Sequence, residues 1–386
     1  MKYAHIIGWG SFWPSRIVTN DEIARSVETS DEWIFNRTGI KERRIASAKE
    51  TTATLAFEAA ARALRVADMH PSQVELIIVA TSTPEHVFPS TACRVQEYLG
   101  ATRAGAFDLS AACSGFVYGL SMGAQAVATE SVSNALIIGA ETMSRVLDWN
   151  DRGTCILFGD GAGAVVLKGS SIPGGLLAST LRADGSGGEM LSLPAVYQNP
   201  QLPGMGPEFS RNGHKSNTIS MDGRQVFRFA TNVLSSSIET TVAKADLTLD
   251  DIALIVPHQA NKRIIESAAK RLKISPDRFY LNVNRAGNTS AASIPMALCD
   301  AVNEGRLKPD DNVVFVGFGG GLTWAAAVVK WDVIPMEISR IGREWKRARY
   351  IAARSRSSLK KFGRRVGASL LGSPTPDATL KDADKH

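Results

Sequence analysis

Short apolar runs alternate along the chain with longer stretches whose apolar residues recur every three or four positions. VELIIVA (74–80), GAFDLS (105–110) and NALIIGA (134–140) have the length and apolar density of buried strands, and TTATLAFEAAARALRVAD has helical spacing. Strands separated by helices predict a sheet covered by helices. The pattern then repeats. VADMHPSQVELIIVA (66–80) aligns without gaps to KADLTLDDIALIVPH (244–258), and NALIIG (134–139) meets NVVFVG (312–317) at the same offset. Between these anchors AFDLSAACSGF faces RFYLNVNRAGNTSAAS, each read as a strand feeding a helix through small residues. The chain therefore reads as α/β, two copies of one unit spanning 1–170 and 171–335.

A duplication brings equivalent strand ends together, where ligand clefts of α/β sheets lie. Three such ends carry chemistry. Cys113 stands at the join of a strand and a helix, where Ala111, Ala112, Ser114 and Gly115 leave room for a ligand and helix N–H dipoles favour a thiolate. His258 ends the apolar run IALIVP and opens the amphipathic stretch HQANKRIIESAAKRL. Asn288 lies in NRAGNTSAASIP. Each has a plain alternative: a packed cysteine, a satisfied structural histidine, a helix cap. Taken together they form a nucleophile with two polar partners.

Composition narrows the field without naming a reaction. The 386 residues are 44% hydrophobic and 21% charged, enough for more than one domain-sized core. No apolar run reaches the ~18 residues of a membrane span, and MKYAHIIGWG lacks the features of a signal peptide, so a cytoplasmic protein is expected. Cys93, Cys113, Cys155 and Cys299 are scattered, with neither zinc-ligand spacing nor a disulfide framework, so no metal is expected. The formal charge is +6, but residues 336–386 hold 13 Lys/Arg against 5 Asp/Glu. The basicity belongs to an appendage of about +8, on a body of about −2.

DLSAACSGF, PHQANKRI and GNTSAASIP resemble the three active-site motifs of the ketoacyl-ACP synthase III family, which has the thiolase fold. TSDEWIFNRTGI, TSTPEHVFPSTAC, DRGTCILFGDGAGAVVL and GFGGGLTW extend the resemblance, in order, over about the first 330 residues. The resemblance implies a layered α-β-α-β-α architecture and a reaction. An acyl group passes from coenzyme A to Cys113 and is condensed with malonyl-ACP, releasing carbon dioxide and a 3-oxoacyl-ACP. His258 Nε2–H and the Asn288 amide would stabilise the enolate, and backbone N–H groups of Cys113 and Gly320 the acyl oxyanion. Trp33 would stack on the adenine, with Arg37, Arg152, Asn261 and Arg263 facing coenzyme A or the carrier's phosphopantetheine. Phe88 matches a residue near the acyl pocket. Acyl-CoA and the acyl carrier protein are then the small-molecule and protein partners, no cofactor is required, and a homodimer is usual.

Other reactions share the superfold. Thiolases carry a second cysteine where this chain has Gly317, and Cys299, inside IPMALCDAV, is a poor substitute. Chalcone-type synthases carry a proline in the loop that reads GFGGG here. An acyltransferase passing the group to an amine or hydroxyl, a priming ketosynthase with another primer, and a non-catalytic scaffold remain alternatives. Retention of Cys113, His258 and Asn288 favours condensation, with acetyl-CoA the default primer.

Two departures from the family stand out. The Pro-, Gly- and Asn-rich segment 191–217 reads as a long loop, and Leu322 stands where the family often has Phe. The chain also continues past its relatives' usual end. Over 336–372, Ile338, Ile341, Trp345, Ala348, Ala352, Leu359, Phe362 and Val366 form one helical stripe flanked by Lys and Arg, and 373–386 reads as disordered. Such a helix serves to lie on an anionic membrane, bind an acidic carrier, or pack on the body. Nothing in the body supports nucleic-acid binding.

Overall fold

The computed structural model describes residues 2–194 and 218–332. Most of the 191–217 segment and the whole 336–386 extension lie outside the described residues.

The elements follow the alternation read from the sequence. Strand β1 (Tyr3–Phe12) is followed by a small ribbon of β2 (Arg16–Thr19) and β3 (Glu42–Ile45), which brackets helices α1 (Asn20–Ile23) and α2 (Asp31–Thr38). Then come α3 (Thr52–Val66), β4 (Leu76–Ala80), α4 (Thr91–Leu99), β5 (Gly105–Leu109), α5 (Gly115–Ala128), β6 (Asn134–Thr142) and β7 (Asp160–Ser170). The remainder supplies β8 (Gly175–Ala183), the short pair β9 (Leu191–Ser192) and β10 (Ser220–Met221), α6 (Gly223–Lys244), β11 (Ile252–Pro257), α7 (Lys262–Leu272), α8 (Val283–Ala286), α9 (Ser293–Asn303), β12 (Asp311–Gly319) and β13 (Thr323–Trp331). Local chemistry sets several starts. Thr51 and Thr54 exchange reciprocal side-chain to backbone bonds at the head of α3, and Ser90 caps α4.

The two main sheets have the same topology. One runs β1-β7-β6-β4-β5 and the other β8-β13-β12-β11, with parallel pairing at β4–β6 and β11–β12, antiparallel pairing from β6 to β1 and from β12 to β8, and a further parallel pair, β4–β5, in the first sheet. The fifth place of the second sheet is reduced to a single bridge between Ile255 and Phe279. RFYLN therefore does not repeat the strand that AFDLS forms as β5. Its chain turns instead into α8 before reaching Asn288.

The architecture is five layers deep because both central strands are buried on both faces. In β6, Ala135 and Ile137 pack into the central core with α5 and α9, while Leu136, Ile138 and Ala140 pack under α3 and α4. In β12, Val313 and Phe315 face the same centre, and Val314, Val316 and Phe318 pack under α6 and α7. Continuous apolar runs such as NALIIGA are the sequence trace of that two-sided burial.

The two copies lock through equivalent glycines. A Cβ on Gly139 would stand 2.1 Å from the Ala291 carbonyl oxygen, and one on Gly317 would stand 3.2 Å from the Cys113 carbonyl oxygen. Each glycine ends its NALIIG or NVVFVG run and lets the other copy's strand-to-helix turn approach closely.

Candidate active site

Both turns that the glycines support have the same backbone. Ala112 (φ 45°) opens the 3-10 turn Ala112–Ser114 before α5, and Ser290 (φ 48°) opens Ser290–Ala292 before α9. Cys113 is thus presented by one turn, and the segment carrying Asn288 by its twin. Non-glycine residues seldom adopt a left-handed conformation, and here it turns the chain sharply from strand end into helix.

Ties between the two copies fix the nucleophile's turn. Ser114 Oγ and Thr323 Oγ1 are 2.9 Å apart, and they lie 2.8 and 3.0 Å from the same Ala111 carbonyl oxygen. Thr323 Oγ1 also lies 3.1 Å from the Gly320 carbonyl oxygen, which couples the GFGGG loop to the cysteine.

Cys113, His258 and Asn288 line one cavity of about 2080 Å³, together with Gly320, Trp33, Arg37, Asn261 and Arg263. That volume exceeds the ~300–1,000 Å³ of a small-molecule pocket, leaving room for a long, arm-like substrate. His258 follows β11 directly, its backbone N–H donating to the Val316 carbonyl at 2.8 Å. The helix expected to open at His258 begins four residues later. Asn261 is its cap, accepting from the Arg263 N–H at 2.9 Å while its own amide donates to the Arg37 carbonyl at 3.0 Å.

The imidazole of His258 is buried, with Nδ1 2.7 Å from Ser293 Oγ and its ring edge-on to Phe318 at 5.3 Å. Desolvation lowers its pKa to about 3, so the ring is neutral near pH 7. Asn288 Oδ1 accepts from the Ser290 N–H at 2.8 Å, which leaves the Nδ2 end of the amide to donate. The capping alternative is therefore half realised, since one end of the amide serves the turn.

The thiol differs from the expectation. Burial pushes Cys113 up to about 12, with a hydrogen bond from the Ser290 side chain acting in the opposite direction. Burial, which disfavours the charged form, thus holds the resting group as a thiol.

The guanidinium groups of Arg37 and Arg152 lie 5.3 and 5.0 Å from the Trp33 ring, although Arg152 itself does not line the cavity. Arg152 also donates to the Glu28 carbonyl at 2.9 Å. Arg263 stands over Phe227 at 5.7 Å. Phe88 is not brought in: it is 86% exposed and does not line the cavity of its own chain. Cys299 lies in the central core away from the cavity, consistent with its reading as a poor second cysteine.

Sequence reasoning did not single out several residues at or beside the cavity. Arg224 and Arg228 on α6 also line the cavity, and no motif marked them. Ser293 falls inside the quoted GNTSAASIP, five residues after Asn288, and no spacing tied it to His258. Glu141, wholly buried at the end of β6, follows NALIIGA by one residue and is a charge in an apolar strand.

The paired sheets and the shared cavity define a condensing enzyme of the thiolase fold. Residues 107–185 and 242–331 match the models for 3-oxoacyl-[acyl-carrier-protein (ACP)] synthase III and its C-terminal part. The chain is 49% identical over 329 residues to a beta-ketoacyl-[acyl-carrier-protein] synthase III from Caldanaerobacter subterraneus, covering 85% of this chain and 98% of the relative. Among solved structures, 3-oxoacyl-[acyl-carrier-protein] synthase III from Aquifex aeolicus superposes with a TM-score of 0.78 at 42% identity, covering 85% of this chain and 99% of that one. The priming beta-ketosynthase of the R1128 polyketide pathway superposes with a TM-score of 0.79 at 34% identity, covering 87% and 98%. The chain belongs to the 3-oxoacyl-[acyl-carrier-protein] synthase III family.

Proposed function

We propose that the protein condenses an acyl-CoA primer with malonyl-ACP to give a 3-oxoacyl-ACP, coenzyme A and carbon dioxide, starting an acyl chain. One observation carries the reading: a thiol, a neutral imidazole and a carboxamide line a single cavity at the junction of the two copies. Cys113 takes the acyl group as a thioester, with its carbonyl oxygen facing the Cys113 and Gly320 N–H groups. Loss of carbon dioxide from the malonyl group leaves an enolate oxygen that needs donors and no strong acid. Asn288 Nδ2–H is one. His258 is the other once Ser293 Oγ–H donates to Nδ1, placing the ring proton on Nε2. No step needs a prosthetic group or metal.

Trp33 and its two arginines suit the adenine and phosphates of coenzyme A, and Asn261 and Arg263 the carrier's phosphopantetheine arm. A second copy of the chain is the expected partner at β5. That strand is the sheet's edge, and its Phe107 is 41% exposed. Phe88 would then serve a partner's cavity. Among the described residues no helix is long and apolar enough to cross a membrane. We assign the body to the cytoplasm, and assign the 336–386 extension to contact with an anionic membrane surface, tested by liposome flotation of chains with and without it.

Intact-protein mass after exposure to a panel of acyl-CoAs, followed by a malonyl-ACP chase, tests the reaction. A gain on Cys113 that the chase removes as 3-oxoacyl-ACP supports it and names the primer. Loading that malonyl-ACP leaves untouched overturns it in favour of acyl transfer to another acceptor. The likeness to a priming ketosynthase of a polyketide pathway favours including primers beyond acetyl in the panel.

A further inference from the structure

In the first copy β5 delivers the chain directly to the turn that presents Cys113, but in the second copy the corresponding strand is missing and Asn288 follows α8 instead. Its backbone is held by the stretch ahead of β7. The Asn288 N–H donates to the Leu157 carbonyl at 2.8 Å, and the Gly159 N–H donates to the Asn288 carbonyl at 3.0 Å. One side chain lies behind that stretch. Arg43, wholly buried on β3, donates from Nη2 to the Ile156 carbonyl at 2.6 Å, and from Nη1 to Asn20 Oδ1 at 2.8 Å and the Val18 carbonyl at 3.2 Å.

The stem of Arg43 packs where the two stretches meet. A Cβ on Gly159 would stand 3.1 Å from Arg43 Cβ and 2.4 Å from the Ala286 carbonyl oxygen, and one on Gly287 would stand 3.1 Å from Arg43 Cβ and 3.0 Å from the Leu157 carbonyl oxygen. Both glycines let the paired stretches close on the arginine, and Gly287, at φ 64°, turns the chain from α8 into the pairing. The start of α8 is held separately, because Gln259 Oε1 accepts from the Asn282 and Val283 N–H groups at 3.0 and 3.2 Å. Gln259 thus ties α8 to the end of β11, and Arg43 ties the residues after α8 to the ribbon.

Packing alone does not call for an arginine there. Val18 and Ile156, which supply two of its acceptors, belong to a small apolar core with Ile34, Ile40, Cys155 and Val283. Burial lowers the guanidinium from 12.5 to about 10, so it remains a cation near pH 7. The three acceptors are neutral, and Asp31 is reached only through Asn20, whose Nδ2 donates to Asp31 Oδ1 at 2.8 Å. A desolvated cation on neutral acceptors costs stability that a packed methionine of similar length does not. What the guanidinium supplies is a planar fork, which fixes acceptors from β2, α1 and the stretch ahead of β7 at once.

Resting on the condensation reading above, we propose that Arg43 is a positioning residue for the enolate donor Asn288, holding the stretch with which the Asn288 backbone is paired and so the direction of its amide in the cavity. The other two cavity residues stand on different supports. The turn of Cys113 is tied through Ser114 and Thr323 to the Ala111 carbonyl, and His258 is tied through Val316 and Ser293. Loss of the fork therefore reaches condensation and spares acyl loading.

Single-turnover loading of the full chain from acyl-CoA, followed by a malonyl-ACP chase, separates the two steps. Arg43→Met, which keeps the stem and removes the fork, should load Cys113 at the wild-type rate and condense about 10–100-fold more slowly. Added to Asn288→Ala it should slow condensation no further, since the amide it orients is gone. Equal slowing of loading and condensation, or a loss that multiplies with that of Asn288→Ala, would overturn the proposal and leave Arg43 a residue of the fold alone. Should Arg43→Met not fold, Arg43→Lys decides: it keeps the cation but cannot span Asn20 and Ile156 together, so a smaller loss confined to condensation supports the proposal and wild-type condensation overturns it. Wild type that forms no 3-oxoacyl-ACP sinks the condensation reading alone, and amide hydrogen exchange then decides the positioning. Arg43→Met should speed exchange of the Asn288 and Gly159 N–H groups about 10-fold and leave those of His258 and Ser114 unchanged, and wild-type exchange at Asn288 and Gly159 would count against it.

Discussion

Ser293 Oγ lies 2.7 Å from His258 Nδ1, so a residue 35 positions away on α9 fixes one nitrogen of the buried imidazole. A hydroxyl that donates to Nδ1 holds the proton on Nε2, the form that can stabilise an enolate. Ser293→Ala should slow condensation about 10-fold, the equivalent of roughly 1–1.5 kcal/mol for one lost hydrogen bond, while Cys113 loads at its usual rate. Separate loading and chase rates check this. Equal slowing of both steps would place Ser293 in packing alone.

The three cavity residues should separate by step. Cys113→Ala is expected to abolish loading, whereas His258→Ala or Asn288→Ala should still load and lose about 10²–10³-fold in condensation, as for removal of an oxyanion donor. Normal product formation by Cys113→Ala would remove the nucleophile assignment.

A methyl at Gly319 has nowhere to go, since its Cβ would stand 2.6 Å from the Cys113 backbone nitrogen. Gly319→Ala should displace the turn that presents the thiol, costing about 1–3 kcal/mol of stability and slowing loading. Denaturant unfolding and single-turnover loading measure the two effects.

Stability should depend on pH in two opposing ways. His258 has its pKa lowered from 6.5 to about 3, so its contribution is complete above pH 6.5 and is lost as pH falls from there toward 3. Glu141 is raised from 4.5 to about 7, so its contribution is complete below pH 4.5 and is lost as pH rises toward 7. The two trends offset between 4.5 and 6.5, and below 4.5 His258 acts alone. Melting temperatures should therefore be nearly flat across that window and drop below it. His258→Gln should flatten the acid limb, and Glu141→Gln should gain on wild type between pH 4.5 and 7.

Trp33, with the Arg37 and Arg152 guanidinium groups 5.3 and 5.0 Å from its ring, is the place proposed above for the nucleotide end of coenzyme A. Trp33→Ala should raise KM for acyl-CoA about 10-fold and leave loading from acyl-N-acetylcysteamine, which lacks the nucleotide, nearly unchanged. A similar loss with both donors would make Trp33 structural.

The sequence alone determined the strands of the continuous apolar runs and the repeat, because two-sided burial leaves such runs and a duplicated unit leaves a constant offset; it misread RFYLN, which forms one bridge and no strand, and the layering came with the family resemblance. It also singled out Cys113 and His258, which follow the legible runs ending in β5 and β11, whereas Asn288 follows α8 and was legible only through its motif. Tertiary structure decided what surrounds them. Ser290, Ser293 and Glu141 are tied in by hydrogen bonds between residues as far as 149 positions apart, and no periodicity marks a hydrogen bond between copies. Protonation was decided there too: the thiol read as lowered by a helix is raised by burial, because the cost of desolvating a charge depends on every neighbour and not on the local turn.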